Sequence, residues 1–285
     1  MLCLVCERLF ARRFRARLLS GEPPTATPEA VVETMDEAEL AVRRSQMGKS
    51  ACRFLGTGPR SIVRQGPGYW VALSGARLDD ANLALVDTRD PIMLAHALEQ
   101  IERPGFPTSL SLAGACRGYQ LGPGWKHVRD APFMGRTLSQ DLGSADRRVR
   151  EAGVEDYEVV SQIIADAFGL TKDVSDTMAG IVRHPDPGAK VWLLVVDERP
   201  VSTVLASIVE DAVCVWCAAT PARFTRRGHC RALLAEVLSK ASLQGATTGL
   251  LVSSPAGKPF YDATGWTTLE TWSTFTNARW AQLAG

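Results

Sequence analysis

The stretch Ala219-Thr220-Pro221-Ala222-Arg223-Phe224-Thr225-Arg226-Arg227-Gly228-His229-Cys230-Arg231-Ala232-Leu233-Leu234 joins two apolar segments. Before it, Val213-Cys214-Val215-Trp216-Cys217-Ala218 reads as a strand; after it, Leu233, Leu234, Val237 and Leu238 share one face of a helix. A basic glycine turn therefore opens a helix. The N–H groups of a first helical turn have no intrahelical partner and lie at the positive end of the dipole, so such a turn can cradle phosphate. Arg226, Arg227 and Arg231 add full charges suited to the same anion.

Working outward, residues 147–150 read as a strand, 155–168 as a helix with Val159, Ile163 and Ile164 inward, and 174–183 as a second helix. Strands at 191–196, 201–209 and 212–219 are separated by very short turns, at 197–200 and at Glu210-Asp211, and so form an antiparallel meander. Downstream come a strand at 249–253, a short helix at 260–265 ending in Gly265, and a strand at 266–274.

The first half reads differently. Residues 1–21 form a basic extension in which Leu2, Leu4, Leu9 and Phe10 alternate with Arg8, Arg12, Arg13, Arg15 and Arg17; it is a solvated tail or a helix on a membrane surface. Cys3 and Cys6 lack a second ligand pair, so no metal is expected there. Thr27-Pro28-Glu29 starts a helix expected to reach about residue 45. Met47-Gly48-Lys49-Ser50 looks like the tail of a phosphate loop, but Arg43 stands where that loop needs glycine and no strand precedes it, which rules out a P-loop NTPase. Strands at 69–73, 82–86 and 110–114, a helix at 91–101 and a turn at 122–125 complete a small α/β unit. Residues 141–146 read as a linker, dividing the chain into domains at 22–144 and 145–285.

Lys+Arg 32 against Asp+Glu 31 leaves a net charge of +1, which argues against nucleic acid as a partner. The 7 cysteines are odd in number and scattered, pointing to a reducing, cytoplasmic setting. No apolar run approaches the roughly 20 residues that span a bilayer.

The order of elements over residues 147–276 resembles the GCN5-related N-acetyltransferase (GNAT) superfamily. Two motifs carry the resemblance. Thr225-Arg226-Arg227-Gly228-His229-Cys230 aligns with the family's Gln/Arg-x-x-Gly-x-Gly/Ala, with Thr225 and Cys230 as departures and a loop one residue longer after Pro221. Phe260-Tyr261-Asp262-Ala263-Thr264-Gly265-Trp266 matches the second. The resemblance implies an α/β fold of the α+β type, a mixed and mostly antiparallel sheet flanked by helices. The strands at Trp70 and Leu83 look like an echo of those at Trp192 and Leu205, as in tandem members whose smaller first domain is degenerate.

The resemblance further implies transfer of acetyl from acetyl-CoA to a primary amine of a small molecule or peptide by direct attack, with no metal; a homodimer is compatible. By it, CoA contacts fall on Cys217, Ala218, Ala219, Arg226, Arg227, Gly228, His229, Cys230, Arg231, Ser254 and Tyr261. A backbone N–H near Cys217 or Ala218 would meet the thioester carbonyl, and Tyr261 would return a proton to the CoA thiolate. Glu210, or its neighbour Asp211, is the expected base. Cys214 and Cys217, an odd number of positions apart, face opposite sides of a regular strand. Other readings are a non-catalytic acyl-CoA sensor, and an RNA-associated module using Arg12, Arg13, Arg226 and Arg227.

Overall fold

The computed structural model describes residues 35–138, 146–184, 186 and 188–277. The 1–21 extension, the helix start at Thr27 and most of the 141–146 linker lie outside the described residues. One helix, α1 (Glu37–Leu55), replaces the helix expected to end near 45. Asp36 caps it by accepting from the Glu39 N–H at 2.8 Å. The Met47-Gly48-Lys49-Ser50 segment lies inside this helix, with Met47, Gly48 and Ser50 buried.

The first half continues with β1 (Ile62–Gly66), β2 (Tyr69–Leu73), β3 (Asn82–Val86), α2 (Pro91–Glu102), β4 (Ser109–Leu112) and β5 (Trp125–Thr137). The second half contributes β6 (Val149–Glu151), α3 (Tyr157–Phe168), α4 (Lys172–Ala179), β7 (Ala189–Val196), β8 (Arg199–Val209), β9 (Ala212–Ala219), α5 (His229–Leu243), β10 (Thr248–Val252), α6 (Lys258–Asp262) and β11 (Thr267–Asn277). The meander β7–β8–β9 is as expected, its first turn carried by Asp197 and Glu198 in the left-handed region. The strands β1 and β5 were not legible.

All of these strands join one sheet, ordered β1-β2-β3-β4-β11-β5-β10-β9-β8-β7-β6. Only β3–β4 and β9–β10 are parallel, each bridged by a helix, α2 or α5. The last strands cross over: β5 pairs with β10 of the second half, and β11 pairs with β4 of the first. A boundary near residue 145 thus divides the chain but not the sheet.

Two apolar cores cover the faces of the second half. On one, α1 and α3 pack over Cys214, Trp216 and Leu250; on the other, α5 sets Leu233, Leu234, Val237 and Leu238 against Val213, Val215 and Leu251. Trp216 Nε1 donates to Ser50 Oγ at 2.6 Å, tying α1 to β9. Arg44 is fully buried, held by Asp87 at 2.6 Å, by Glu270 at 3.1 Å and by Glu37.

Candidate active site

The site begins with an irregularity in β9. Thr203 pairs with Ala219 but Leu205 with Trp216, so Cys217 and Ala218 together oppose Val204. This is a β-bulge, and Cys217 takes a left-handed φ of 47° to make it. The extra residue resets the alternation of side chains, so Trp216 and Cys217 both join the core that holds Cys214. The expectation that Cys214 and Cys217 face opposite sides is therefore corrected: it holds only for a regular strand. Beyond Cys214, paired with Leu250, β9 parts from β10, which stays with β5 along its whole length. The result is a fork whose β9 edge, from Val215 to Ala219, has no strand partner on the β10 side among the described residues.

The basic turn stands at the open end of this fork. A single 3-10 turn, Ala222–Phe224, is closed by the Thr225 hydroxyl donating to Ala222 O at 2.9 Å. Thr225, one of the two motif departures, thus spends its side chain on the loop itself. Arg226 and Gly228 have φ of 61° and 79°, and Gly228 is the N-cap of α5 with no side-chain cap. A Cβ at Gly228 would meet nothing within 4 Å. Arg226, Arg227 and Arg231 are exposed and form no ion pair among the described residues, whereas Arg223 is held by Asp166 at 2.8 Å. Burial, with Arg148 and Arg227 nearby, holds His229 below the usual imidazole range. Arg148 was not anticipated: it precedes β6, far from both motifs, and only the fold brings its charge to α5.

The first half offers a contrast. There β3 and β4 stay paired from Leu83↔Ser109 to Val86↔Leu112, with no fork. Asp90 caps α2, accepting from the Ile92 N–H at 2.8 Å. A carboxylate already occupies one donor of the helix start there, whereas α5 has no side-chain cap.

Tyr261, on α6, packs edge-on against Phe260 and Trp266, with centroids 5.2 and 5.9 Å away. Its hydroxyl makes no hydrogen bond among the described residues. Burial raises its pKa, and charge on Cys230 or Cys217 would raise it further; the ring packs, as Ala218 of β9 does, on the core that holds Leu233 and Leu234 of α5. Burial likewise pushes the Cys230 thiol up to about 11, tempered by the Thr220 hydroxyl. Ser254 Oγ accepts from the Gly257 N–H at 3.0 Å and so shapes the turn into α6.

Glu210 is not brought to this group. It lies in the β8–β9 turn, paired with Lys49 at 2.7 Å, and a strand of seven residues, roughly 20 Å, separates it from Cys217. The Lys49 contact holds its carboxyl below the usual range. Asp211 beside it binds Arg43 at 2.9 Å and Gln46 at 2.7 Å. Both carboxylates clamp α1 to the sheet. Among the described residues no group of three or more His, Cys, Asp or Glu could hold a metal, and no helix is long and apolar enough to cross a membrane.

Solved structures share this architecture. A GCN5-related N-acetyltransferase from Kribbella flavida superposes with a TM-score of 0.56 at 18% identity, over 87% of this chain and 97% of its own. A GNAT-family protein from Novosphingobium aromaticivorans DSM 12444 gives 0.53 at 16% identity, over 79% and 93%. No family model matches the sequence, and no curated protein does so. The chain therefore has the GNAT fold, a mixed sheet flanked by helices.

Proposed function

We propose that the protein is an N-acetyltransferase that moves acetyl from acetyl-CoA to a primary amine by direct attack. The observation that carries this reading is that Tyr261 and Ala218, of the bulge, pack on the one core that holds Leu233 and Leu234 of the uncapped helix α5. The CoA pyrophosphate would take the free N–H groups of residues 229–231 and the charges of Arg226, Arg227 and Arg231. Its pantetheine arm would run along the unpaired edge of β9 as far as Ala219, Ala218 and Cys217, with Ser254 across the fork.

As the amine nitrogen bonds to the thioester carbon, the carbonyl oxygen gains charge and accepts from a backbone N–H at Cys217 or Ala218. Collapse of the intermediate breaks the C–S bond, Tyr261 donates to the departing sulfur, and the proton that the amine nitrogen sheds passes through solvent to the Tyr261 phenolate. Tyr261 is partly buried, and a phenol is protonated at neutral pH and so can donate. Glu210 has no part in this scheme.

The test is titration calorimetry with CoA, followed by thiol release from acetyl-CoA in the presence of amines. Arg226→Ala with Arg227→Ala should weaken CoA by roughly tenfold or more, since charge-assisted contacts are each worth about 1.5–3 kcal/mol before solvent screening. Unchanged affinity would refute the cradle. CoA binding without thiol release would favour a non-catalytic acyl-CoA sensor.

A further inference from the structure

Away from the fork, the last turns of α5 and the strands β7 and β8 enclose a cavity of about 350 Å³, within the size range of small-molecule sites. Its floor is low and apolar: Ala206 and Val213 of the sheet and Val237 and Ala241 of α5 are all buried. Trp192, half-buried on β7, is its aromatic wall, and Lys240 reaches from α5 to 5.7 Å from the centre of that ring. At the other end stands Arg53, from the last turn of α1. It donates to the Ile208 carbonyl at 2.6 Å and lies so close to Gly188 that a Cβ there would run into its Nη1. Three cations line the cavity and, among the described residues, no carboxylate does. Lys190 and Lys240 are already matched outside it, by Glu151 at 2.7 Å and by Glu236 at 3.0 Å, and give the cavity their aliphatic stems. The Asp186 carboxylate is turned to the Gly188 N–H at 2.7 Å. Arg53 forms no ion pair among the described residues, so one positive charge is left over.

We propose that this cavity binds a bicyclic aromatic monoacid, its carboxylate on Arg53 and its ring against Trp192. The assignment does not rest on the acetyltransferase reading above. A single unmatched cation selects a monoanion, because a phosphate or pyrophosphate would bring further charge to an apolar floor with nothing to pair it. Guanidinium suits a planar carboxylate, and with Nη1 given to Ile208 the remaining donors of Arg53 are available. Size argues for two fused rings. Trp192 lies four residues along the chain from Gly188, roughly 13 Å at about 3.3 Å per residue, longer than one ring with its acid group. A cavity that holds benzene is about 150 Å³, and this one is more than twice that. The small side chains of Ala206 and Ala241 leave room for a flat body above them. The site is separate from the cradle, since Lys240 stands eleven residues beyond His229, roughly 16 Å along α5.

Calorimetry on the full chain compares 2-naphthoate with 2-naphthamide, 2-naphthylmethylamine and benzoate, each with and without excess CoA. 2-Naphthoate should bind at a single site, roughly tenfold or more tighter than each of the other three. Arg53→Gln, whose amide can still donate to the Ile208 carbonyl, should weaken 2-naphthoate about tenfold and leave 2-naphthamide within about twofold. Should Arg53→Gln fail to fold, Trp192→Leu serves instead and should weaken 2-naphthoate by about the same factor. Excess CoA should leave the 2-naphthoate affinity unchanged. Absence of 2-naphthoate binding, equal binding of the amide, the amine or benzoate, displacement by CoA, which would put the acid in the α5 cradle, or indifference to the substitution would each overturn the assignment.

Discussion

Replacing Gly228 by Asp would put a carboxylate at the start of α5, as Asp90 does at the start of α2. Asp90 shows what an N-cap carboxylate does in this fold, since it takes the Ile92 N–H at 2.8 Å. Space exists at Gly228, where a Cβ meets nothing within 4 Å. The left-handed φ of 79° costs a side chain about 1–2 kcal/mol, less for Asp than for most, and capping returns a few tenths of a kcal/mol relative to Gly. Stability should therefore change by roughly 1 kcal/mol or less. Anion binding should change far more. A carboxylate ~5 Å from a phosphate, at an effective dielectric of ~40 for an exposed site, repels each phosphate charge by about 1.7 kcal/mol. The two charges of a pyrophosphate give about 3 kcal/mol, roughly halved by physiological salt, or a ten- to hundredfold loss of CoA affinity. Calorimetry at low and physiological salt reads the effect. Gly228→Ala carries similar strain without charge, so the difference between the variants isolates the electrostatic part. Equal CoA affinity for Gly228→Asp and Gly228→Ala would refute the cradle.

Other substitutions separate chemistry from architecture. Tyr261→Phe keeps both ring contacts and loses a hydroxyl without a partner among the described residues, so stopped-flow assays should show kcat reduced by about a hundredfold or more with CoA affinity unchanged. Arg44→Met strands Asp87 and Glu270 without their buried partner and should cost roughly 3–5 kcal/mol at neutral pH by urea unfolding. Burial already raises the Asp87 carboxyl against the pull of Arg44; losing Arg44 raises it further, so the variant's deficit should shrink as pH falls toward the carboxylate range. The opposite sign holds for Asp156. Hydrogen bonds from Arg150, at 2.6 and 2.7 Å, and from the Gly153 N–H hold it below the usual carboxylate range. Its stabilisation is full above the unfolded-state value and is lost as pH falls through the folded-state one. Asp156→Asn should then be less stable than the parent at neutral pH and match it in strong acid, as acid-unfolding curves will show.

Much of the second half was legible because its signals are local. The turn at Glu210-Asp211 joins adjacent strands, and α5 and α6 carry short-range periodicity and a closing Gly265. The strand β5 was not legible: Asp130, Pro132 and Gly135 interrupt its pattern, and it is a strand only because β10 and β11, more than a hundred residues later, pair with both its edges. The length of α1 was misjudged for a similar reason. Residues 47–50 looked like the tail of a phosphate loop just past the helix, yet Gly48 sits where Trp70 closes on the helix, and a Cβ there would lie 2.4 Å from the indole. The bulge gave no sign either, since Cys217 is not a glycine and its φ follows from the shifted pairing of β8 with β9.

The sequence alone determined that a basic glycine turn opens α5, because Gly228, Arg226, Arg227 and Arg231 lie within about one turn of the helix start and need no distant partner. Only the tertiary structure decided which core Tyr261 packs on, that Glu210 is spent on Lys49, and that the halves exchange their last strands. Those outcomes depend on which edges pair across long loops. Hydrogen-bonded ladders and buried apolar faces settle that choice collectively, so no single stretch of residues encodes it.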